Sequence, residues 1–275
     1  MNRIATTFAA LRHNGRAALM PYLTMGYPHL DSALTLVPAL VDAGADLVEL
    51  GVPFSDPLAD GATIQSSSQR ALENGMTLLL CLEQAAALRK CGVSVPLILM
   101  GYYNPILRMG PVEFAGRAAQ AGIDGAIVPD LPPEEADPLQ LALRAQGIDL
   151  VFLLAPTSDV QRIHQIAARA SGFLYLVSLV GVTGARDSLS SELKPFVARV
   201  RAATDLPLAV GFGISTAEQA AHVARFADGV IVGSALIRAV SQASDSVAEA
   251  SDAVVEAGDG DIAAAAAAFL RSLRA

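Results

Sequence analysis

Short apolar segments alternate with longer amphipathic segments along the whole chain. Eight short segments are almost continuously apolar, as parallel strands covered on both faces are. These candidate strands are Ala18–Thr24, Asp46–Leu50, Pro96–Gly101, Gly125–Pro129, Asp149–Leu154, Phe173–Ser178, Pro207–Gly211 and Gly229–Gly233. The pattern therefore predicts eight strand–helix units in series.

Helix-length segments lie between and after these strands. The candidate helices are Asp31–Ala43, Thr77–Cys91, Val112–Ala121, Glu134–Gln146, Asp159–Ala170, Ser191–Ala203, Thr216–Phe226 and Asp261–Leu273. Residues 241–260, rich in Ala, Ser, Asp and Glu, are expected to form a loose helical return. Eight units in series favour a closed barrel over an open sheet. We predict that residues 1–275 form a single α/β domain, a (β/α)8 TIM barrel with a C-terminal helix.

Turn signals agree with this alternation. Residues 42–46, 120–124 and 145–149 share one pattern, in which a helix ends, glycine supplies a left-handed cap and a strand begins two residues later. The segment 215–218 fits a capping box, and Gly110-Pro111 fits a helix start.

Composition narrows the possible partners and compartment. The formal net charge of −8 disfavours nucleic acid and anionic membranes as partners. The same charge repels an anionic substrate, which would therefore need local hydrogen-bond donors. The apolar runs are too short to span a bilayer, and the first residues lack a signal-peptide pattern. The two cysteines show no disulfide or metal spacing. We expect a cytoplasmic protein.

One carboxylate lies in the second strand and another follows it, near the end of the barrel where such folds carry their chemistry. Glu49 is in phase with Leu47 and would point to the same side of an otherwise apolar strand. Burial there would raise its pKa and suit it to acid–base catalysis, unless an arginine pairs with it at the rim. Asp60 could return over the mouth as a second carboxylate, or simply cap the next helix.

Small residues after the last two strands predict a phosphate site. Gly213, Gly233 and Ser234 would let backbone N–H groups face an anion, with the helix dipole behind them, although glycines also form tight turns. The segment 178–191 after strand six, which includes Thr183 and Gly184, could close over a substrate or be a plain loop. Tyr175 could line the pocket or be a core aromatic residue.

Several chemistries are disfavoured. The two lysines, Lys90 and Lys194, do not follow strands, which argues against a Schiff base. Of the four histidines only His29 lies near a strand end, so no metal site is expected. Acid–base catalysis by carboxylates on a phosphorylated substrate, without a cofactor, remains.

Seven motifs resemble those of the tryptophan synthase alpha chain family in amino-acid sequence and in order along the chain. They are Pro21-Tyr-Leu-Thr-Met-Gly-Tyr-Pro28, Glu49-Leu-Gly-Val-Pro-Phe-Ser-Asp-Pro-Leu-Ala-Asp-Gly61, Met100-Gly-Tyr-Tyr-Asn-Pro105, Pro129-Asp-Leu-Pro132, Gly181-Val-Thr-Gly184, Gly211-Phe-Gly-Ile214 and Val232-Gly-Ser-Ala235. They run from about residue 4 to residue 240, and the second is highly specific.

This resemblance implies retro-aldol cleavage of indole-3-glycerol phosphate to indole and glyceraldehyde 3-phosphate. It implies that Glu49 transfers protons at indole C3 and at the glycerol hydroxyl, that Asp60 accepts the indole N–H and stabilises the cationic ring, and that Tyr175 positions the substrate. It implies the following sets: phosphate contacts at Gly184, Gly213, Gly233 and Ser234; an indole pocket of Tyr22, Met100, Ile127, Leu153 and Phe212; and a mobile loop containing Thr183.

The resemblance also implies a beta chain partner that carries pyridoxal phosphate and consumes the indole, in an alpha2beta2 tetramer. Docking is implied at Asp56, Pro57, Tyr102, Asn104, Asp130 and Pro132. Two departures are Tyr22, where phenylalanine is frequent, and Leu179, where some members carry a basic residue. The residues leave open a sugar-phosphate isomerase or epimerase, a lyase that works without a partner, and a non-catalytic regulatory barrel.

Overall fold

Eight parallel strands close into a barrel in chain order, each paired with its neighbours in sequence and the eighth with the first. The computed structural model describes residues 3–177, 192–211, 213–250 and 259–274. The strands, β1 to β8, are Ala18–Thr24, Val48–Gly51, Leu97–Met100, Gly125–Ile127, Asp149–Leu154, Leu174–Val177, Leu208–Gly211 and Gly229–Val232. The predicted (β/α)8 barrel is confirmed, although most strands are one or two residues shorter than predicted.

The helices of the described residues surround this barrel. Labelled α1 to α12, they are Arg3–His13, Ala33–Asp42, Ala62–Glu73, Leu78–Lys90, Tyr103–Met109, Pro111–Gln120, Asp137–Ala145, Val160–Arg169, Leu193–Arg201, Ala217–Ala224, Ser234–Ala250 and Asp259–Ser272. None of them is long and apolar enough to cross a membrane.

Sequence analysis missed α1, α3 and α5. It predicted only a loose helical return over residues 241–260, whereas α11 already begins at Ser234. Of the missed helices, α3 is polar and rich in Ser and Gln, and α1 buries three side chains, Ile4, Phe8 and Leu11. Tertiary packing decides them, as the contact of Phe8 with Phe173 at 5.8 Å between ring centroids shows for α1.

Two local predictions need correction. The single helix predicted over Glu134–Gln146 is divided into a 3₁₀ turn at Pro133–Glu135 and α7, because Pro138 is accommodated only in the first turn of a helix. The capping box is shifted by one residue, since Thr216 Oγ1 accepts from Gln219 N at 3.3 Å while Gln219 Oε1 accepts from Ser215 N.

Two apolar layers hold the barrel together. The larger one lies between the strands and the helices. The smaller one fills the barrel interior and includes Met20, Leu47, Ile98, Ile127 and Phe173. Glu49, which shares the strand phase of Leu47, therefore enters an otherwise apolar interior.

Aspartates tie neighbouring strands together at the N-terminal end of the barrel. Asp46, Asp124 and Asp228 each precede an even-numbered strand and accept a hydrogen bond from the strand before it. The donors are the backbone N–H groups of Leu19, Leu97 and Leu208, at 2.9, 2.9 and 2.8 Å. The Gly-x-Asp pattern at 44–46 and 122–124 thus encodes both a left-handed cap, with φ of 102° and 74°, and a strand clamp.

We expect Asp124→Ala to lower the free energy of unfolding by about 3 to 5 kcal/mol, because it leaves the half-buried Arg89 guanidinium without its carboxylate. Asp124 is 5% exposed and receives Arg89 Nη2 at 2.6 Å and Arg3 Nη1 at 2.9 Å. Urea unfolding measures the loss. Glu113→Ala, which breaks the exposed pair with Arg117, is the control and should cost under about 0.5 kcal/mol. Equal losses in the two variants would contradict the clamp.

Candidate functional site

A cavity of about 290 Å³ opens at the C-terminal mouth of the barrel. It is lined by the ends of β1, β3, β6 and β8 and by the segments that follow β2, β7 and β8. The lining residues are Tyr22, Asp60, Gly61, Ala62, Thr63, Ile64, Met100, Tyr175, Gly213, Ile214, Ile231, Gly233, Ser234, Ala235 and Arg238. Seven residues that the sequence analysis named separately therefore meet in one place: Tyr22, Asp60, Met100, Tyr175, Gly213, Gly233 and Ser234.

Glu49 lies on β2, beside Tyr22 of β1 and Ile98 of β3. Its side chain is fully buried, and neither Oε1 nor Oε2 has a hydrogen-bond partner among the described residues. The arginine pair considered from sequence is therefore not formed with any described arginine. Desolvation raises the pKa of Glu49 from 4.5 to about 8. The carboxyl is thus protonated at neutral pH and holds a proton that no described group accepts.

Asp60 lies at the cavity, half-buried, in the segment between β2 and α3. The Tyr102 hydroxyl donates to Asp60 Oδ2 at 3.0 Å. Burial raises the pKa of Asp60, and the hydrogen bond from Tyr102 opposes that rise. The alternative role as helix cap is wrong, because Gly61 is the N-cap of α3 and no side chain caps that helix. The two carboxyl groups therefore occupy different environments, which is the condition for dividing acid–base roles.

Tyr102 fixes the segment that carries Asp60. Its ring stacks on Phe54 at 5.1 Å between centroids, and its oxygen accepts from Ala59 N at 3.0 Å. Since Tyr102 is 6% exposed, it presents little surface to a partner chain. Its inward contacts make it a positioning residue for Asp60.

We expect Tyr102→Phe to lower kcat/KM about 3- to 10-fold for the cleavage that the family resemblance implies, because one hydrogen bond to a charged group and the anchor of Ala59 are lost. The decrease should appear mainly in kcat, measured by steady-state indole release without a partner chain. Tyr103→Phe removes the neighbouring hydroxyl and is the control. A fall in kcat/KM that is equal in both variants would contradict the positioning role.

Two tyrosine rings occupy the space above strand-end glycines. A Cβ on Gly51 would lie 2.5 Å from Tyr22 Cζ, and a Cβ on Gly211 would lie 2.6 Å from Tyr175 Cζ. Any larger residue would displace these rings from the cavity. The glycines in these two motifs are thus required by the neighbouring side chain rather than by a turn. Burial raises the pKa of both tyrosines, so their hydroxyls remain protonated.

The Tyr22 hydroxyl continues a buried polar chain toward α3. It hydrogen-bonds Thr24, and Thr24 Oγ1 lies 2.7 Å from Ser67 Oγ. Ser67 Oγ also donates to Ile64 O at 2.9 Å, so its single proton is used there. Thr24 then donates to Ser67, and this chain joins the end of β1 to α3.

The opposite side of the cavity provides backbone donors. Gly213 has φ of 81°, a conformation that favours glycine, and Gly233 and Ser234 lead into α11. The first N–H groups of a helix have no intrahelical partner and attract anions. Arg238, one turn after Ser234, also lines the cavity. Sequence analysis missed Arg238 because the last motif it used ends at Ala235. The four-residue spacing between Ser234 and Arg238 would have placed both on the same face of a helix.

Two residues predicted for the indole pocket do not line the cavity. Ile127 is fully buried in the barrel interior, and Leu153 packs against the same apolar cluster. Gly184, Thr183 and Phe212 lie outside the described residues. Contacts of these five residues with a ligand stay predictions.

The predicted docking residues surround the same end of the barrel. Asp56, Asn104, Asp130 and Pro132 are exposed, and Pro57 is partly buried. Asp130 Oδ1 accepts from Tyr103 N at 2.9 Å, which joins the segment after β4 to the start of α5. Leu58 and Leu107 on this side are 94% and 55% exposed. Partner contact at these positions stays a prediction.

Among the described residues, no group of three or more His, Cys, Asp or Glu side chains is arranged to hold a metal ion. Cys81 is buried and Cys91 is exposed, and both are free thiols.

Comparison with known proteins agrees with this geometry over the whole chain. The family model described as "Tryptophan synthase alpha chain" matches residues 8–266. A relative of that name from Roseiflexus sp. is 56% identical over 274 residues, which is 100% of both chains. The crystal structure of tryptophan synthase subunit alpha from Legionella pneumophila is 40% identical with a TM-score of 0.88, covering 100% of this chain and 97% of that one. A structure of tryptophan synthase from Mycobacterium tuberculosis is 37% identical with a TM-score of 0.85, covering 100% and 99%. The chain belongs to the tryptophan synthase alpha chain family.

Proposed function

We propose that this barrel, a lyase that cleaves indole-3-glycerol phosphate to indole and glyceraldehyde 3-phosphate, uses Glu49 and Asp60 for its chemistry. The observation that carries this proposal is the buried and protonated carboxyl of Glu49, which has no hydrogen-bond partner among the described residues. Glu49 is not itself in the cavity lining, but its register partner Tyr22 lines the cavity that Asp60 borders. Such a group can both give and accept a proton near neutral pH.

Glu49 would start and finish the reaction protonated. It donates its proton to indole C3, which turns the ring into a leaving group. The resulting carboxylate then accepts the proton of the hydroxyl on the carbon bonded to C3. The bond between these carbons breaks, its electron pair restores the indole ring, and the hydroxyl carbon becomes the aldehyde. One carboxyl therefore suffices for both transfers, and no net proton is gained or lost.

Asp60 would stabilise the positive charge that appears on the ring when C3 is protonated. Its Oδ2 is held by Tyr102 at 3.0 Å, so the carboxylate is oriented before the substrate binds. Accepting the indole N–H, it would interact most strongly with the cationic ring and so favour the transition state over the bound substrate. Tyr175, buried at the floor, would position the substrate.

The remaining cavity matches the other parts of the substrate. Tyr22, Met100 and Ile231 provide an apolar surface for indole, and Gly213, Gly233 and Ser234 provide donors for the phosphate. The chain's charge of −8 makes such local donors necessary. Of the described residues around the cavity, none is a lysine, and the proposed chemistry requires no cofactor in this chain.

A partner chain would consume the indole that this barrel releases. Family membership supports a beta chain that carries pyridoxal phosphate and converts the indole to tryptophan, in an alpha2beta2 tetramer. Asp56, Pro57, Asn104, Asp130 and Pro132, with the exposed Leu58, would provide the docking surface. Cys81 and Cys91 are free thiols, which supports a location in the reducing cytoplasm.

Indole release from indole-3-glycerol phosphate tests this function, with the purified chain alone and then with a beta chain of a close relative. We expect slow release alone and a marked increase with the partner. Fast release that does not respond to the partner would favour an autonomous lyase. No release in either case would overturn the proposal and favour another phosphate-binding barrel, such as an isomerase or epimerase.

A further inference from the structure

Arg238 is the one cationic side chain among the described residues that line the cavity. It lies on α11, one helical turn after Ser234, and the lining also includes Gly233 and Ala235. Helical side chains lean toward the N-terminus of their helix and cover the preceding turn. The guanidinium of Arg238 is therefore carried back toward the backbone donors at the start of α11.

Arg238 differs from most of the chain's arginines in having no partner among the described residues. Arg3, Arg89, Arg162, Arg201 and Arg274, for example, each form an ion pair with an aspartate or glutamate. Within the described ranges, Arg238 makes no ion pair or hydrogen bond, and its side chain is exposed at the mouth. Its charge is thus available to a ligand in the cavity.

We propose that Arg238 is the charged part of the phosphate subsite and sets the preference for a phosphorylated over an unphosphorylated substrate. This inference rests on the proposed function, to which it adds a specificity-determining residue. The backbone N–H groups of Gly213, Gly233 and Ser234 are neutral and define position. A phosphate monoester carries a charge close to −2 at pH 7, and a guanidinium adds charge-assisted hydrogen bonds to it.

The charge of the whole chain makes this contribution necessary. A net charge of −8 repels a dianion, and Asp60 borders the same cavity. A cation at the mouth offsets this repulsion locally, and it acts on substrate and product alike because both retain the phosphate. The effect is therefore expected in affinity and KM rather than in kcat.

The test compares Arg238→Gln, Arg238→Lys and a matched control. Arg144→Gln removes the same charge from another exposed arginine, on α7, which does not line the cavity. Titration calorimetry measures the Kd of sn-glycerol 3-phosphate and, separately, of inorganic phosphate for the otherwise intact chain. The same titrations at low and high ionic strength identify an electrostatic contribution.

Arg238→Gln is expected to raise the Kd of sn-glycerol 3-phosphate about tenfold at low ionic strength, and the difference should shrink at high ionic strength. Arg238→Lys should retain most of the affinity, and Arg144→Gln should match the unmodified chain. KM for indole-3-glycerol phosphate should rise with Arg238→Gln by a similar factor while kcat is unchanged. Circular dichroism confirms that each variant is folded.

An unchanged Kd in Arg238→Gln would overturn the proposal, as would an equal loss in Arg144→Gln or no binding of either probe by the unmodified chain. Failure of the proposed function is distinguishable from these outcomes. If the unmodified chain binds sn-glycerol 3-phosphate through Arg238 but releases no indole, the subsite is confirmed and the reaction is different.

Discussion

Glu49→Gln is expected to lower kcat for indole release at least about 1000-fold, while the Kd of sn-glycerol 3-phosphate changes less than about twofold. The amide has the size of the carboxyl but cannot donate a proton to C3 and then accept the hydroxyl proton. Phosphate binding depends on the other side of the cavity. Comparable turnover in the variant and the unmodified chain would contradict the assigned role.

The same substitution should stabilise the fold at alkaline pH. The pKa of Glu49 is about 8 in the folded chain and 4.5 is its ordinary value, so the unfolded chain ionises first as pH rises. The folded state therefore loses stability between pH 4.5 and 8, and the loss is constant above pH 8. Each pKa unit corresponds to about 1.4 kcal/mol, and relaxation of the site reduces the total, so we expect a penalty of about 2 to 4 kcal/mol.

Urea unfolding across pH measures this difference. Glu49→Gln should match the unmodified chain near pH 4.5 and exceed its stability by the full amount at pH 8. Glu83→Gln makes the same chemical change at an exposed position of α4 and should show no such difference. If the free energy of unfolding of Glu49→Gln has the same pH dependence as that of the unmodified chain, the carboxyl is not buried as described.

The pH dependence of catalysis follows from the same ionisation. Because the proposed reaction begins with Glu49 protonated, kcat/KM should fall as pH rises through about 8.

Asp60→Asn is expected to reduce kcat about 100-fold, because the neutral amide cannot stabilise a cationic indole ring. KM should change less than about threefold, since the ground-state ring is neutral. Steady-state indole release measures both parameters. Tyr102 would still meet a hydrogen-bond acceptor at position 60, so the segment between β2 and α3 should keep its conformation.

Asp205→Asn, an exposed aspartate in the turn before β7, is the control for the loss of one negative charge. It should leave both kinetic parameters unchanged. A large rise in KM with unaltered kcat in Asp60→Asn would mean that Asp60 binds the ground state. That result would remove its proposed role in the transition state.

The order of the elements was largely predictable. Near-continuous apolar strands and repeated glycine caps are local signals, and they give eight parallel strands in chain order. Three helices, α1, α3 and α5, were missed. For α3 and α1, the segments fold as helices because the barrel offers them a surface, and that information is not local.

The site was predictable in part. Positions near or after strand ends indicated Glu49, Asp60, Gly213, Gly233 and Ser234, because a parallel barrel brings these ends together. The motif containing Tyr102 resembled a docking segment, yet its hydroxyl holds Asp60 at 3.0 Å. Sequence spacing does not show which way a strand-end side chain turns.

By itself, the sequence determined the barrel, the family and the residue types available for acid–base chemistry, since periodicity and motif order are carried along the chain. Only the tertiary structure decided the state of those residues. Glu49 is protonated because apolar side chains from other strands desolvate it. Gly51 and Gly211 are glycines because tyrosines from adjacent strands fill the space of a Cβ. Arg238 lines the cavity because α11 begins where β8 ends. Each of these properties depends on atoms that are distant in sequence, and solvation, steric fit and charge act only through space.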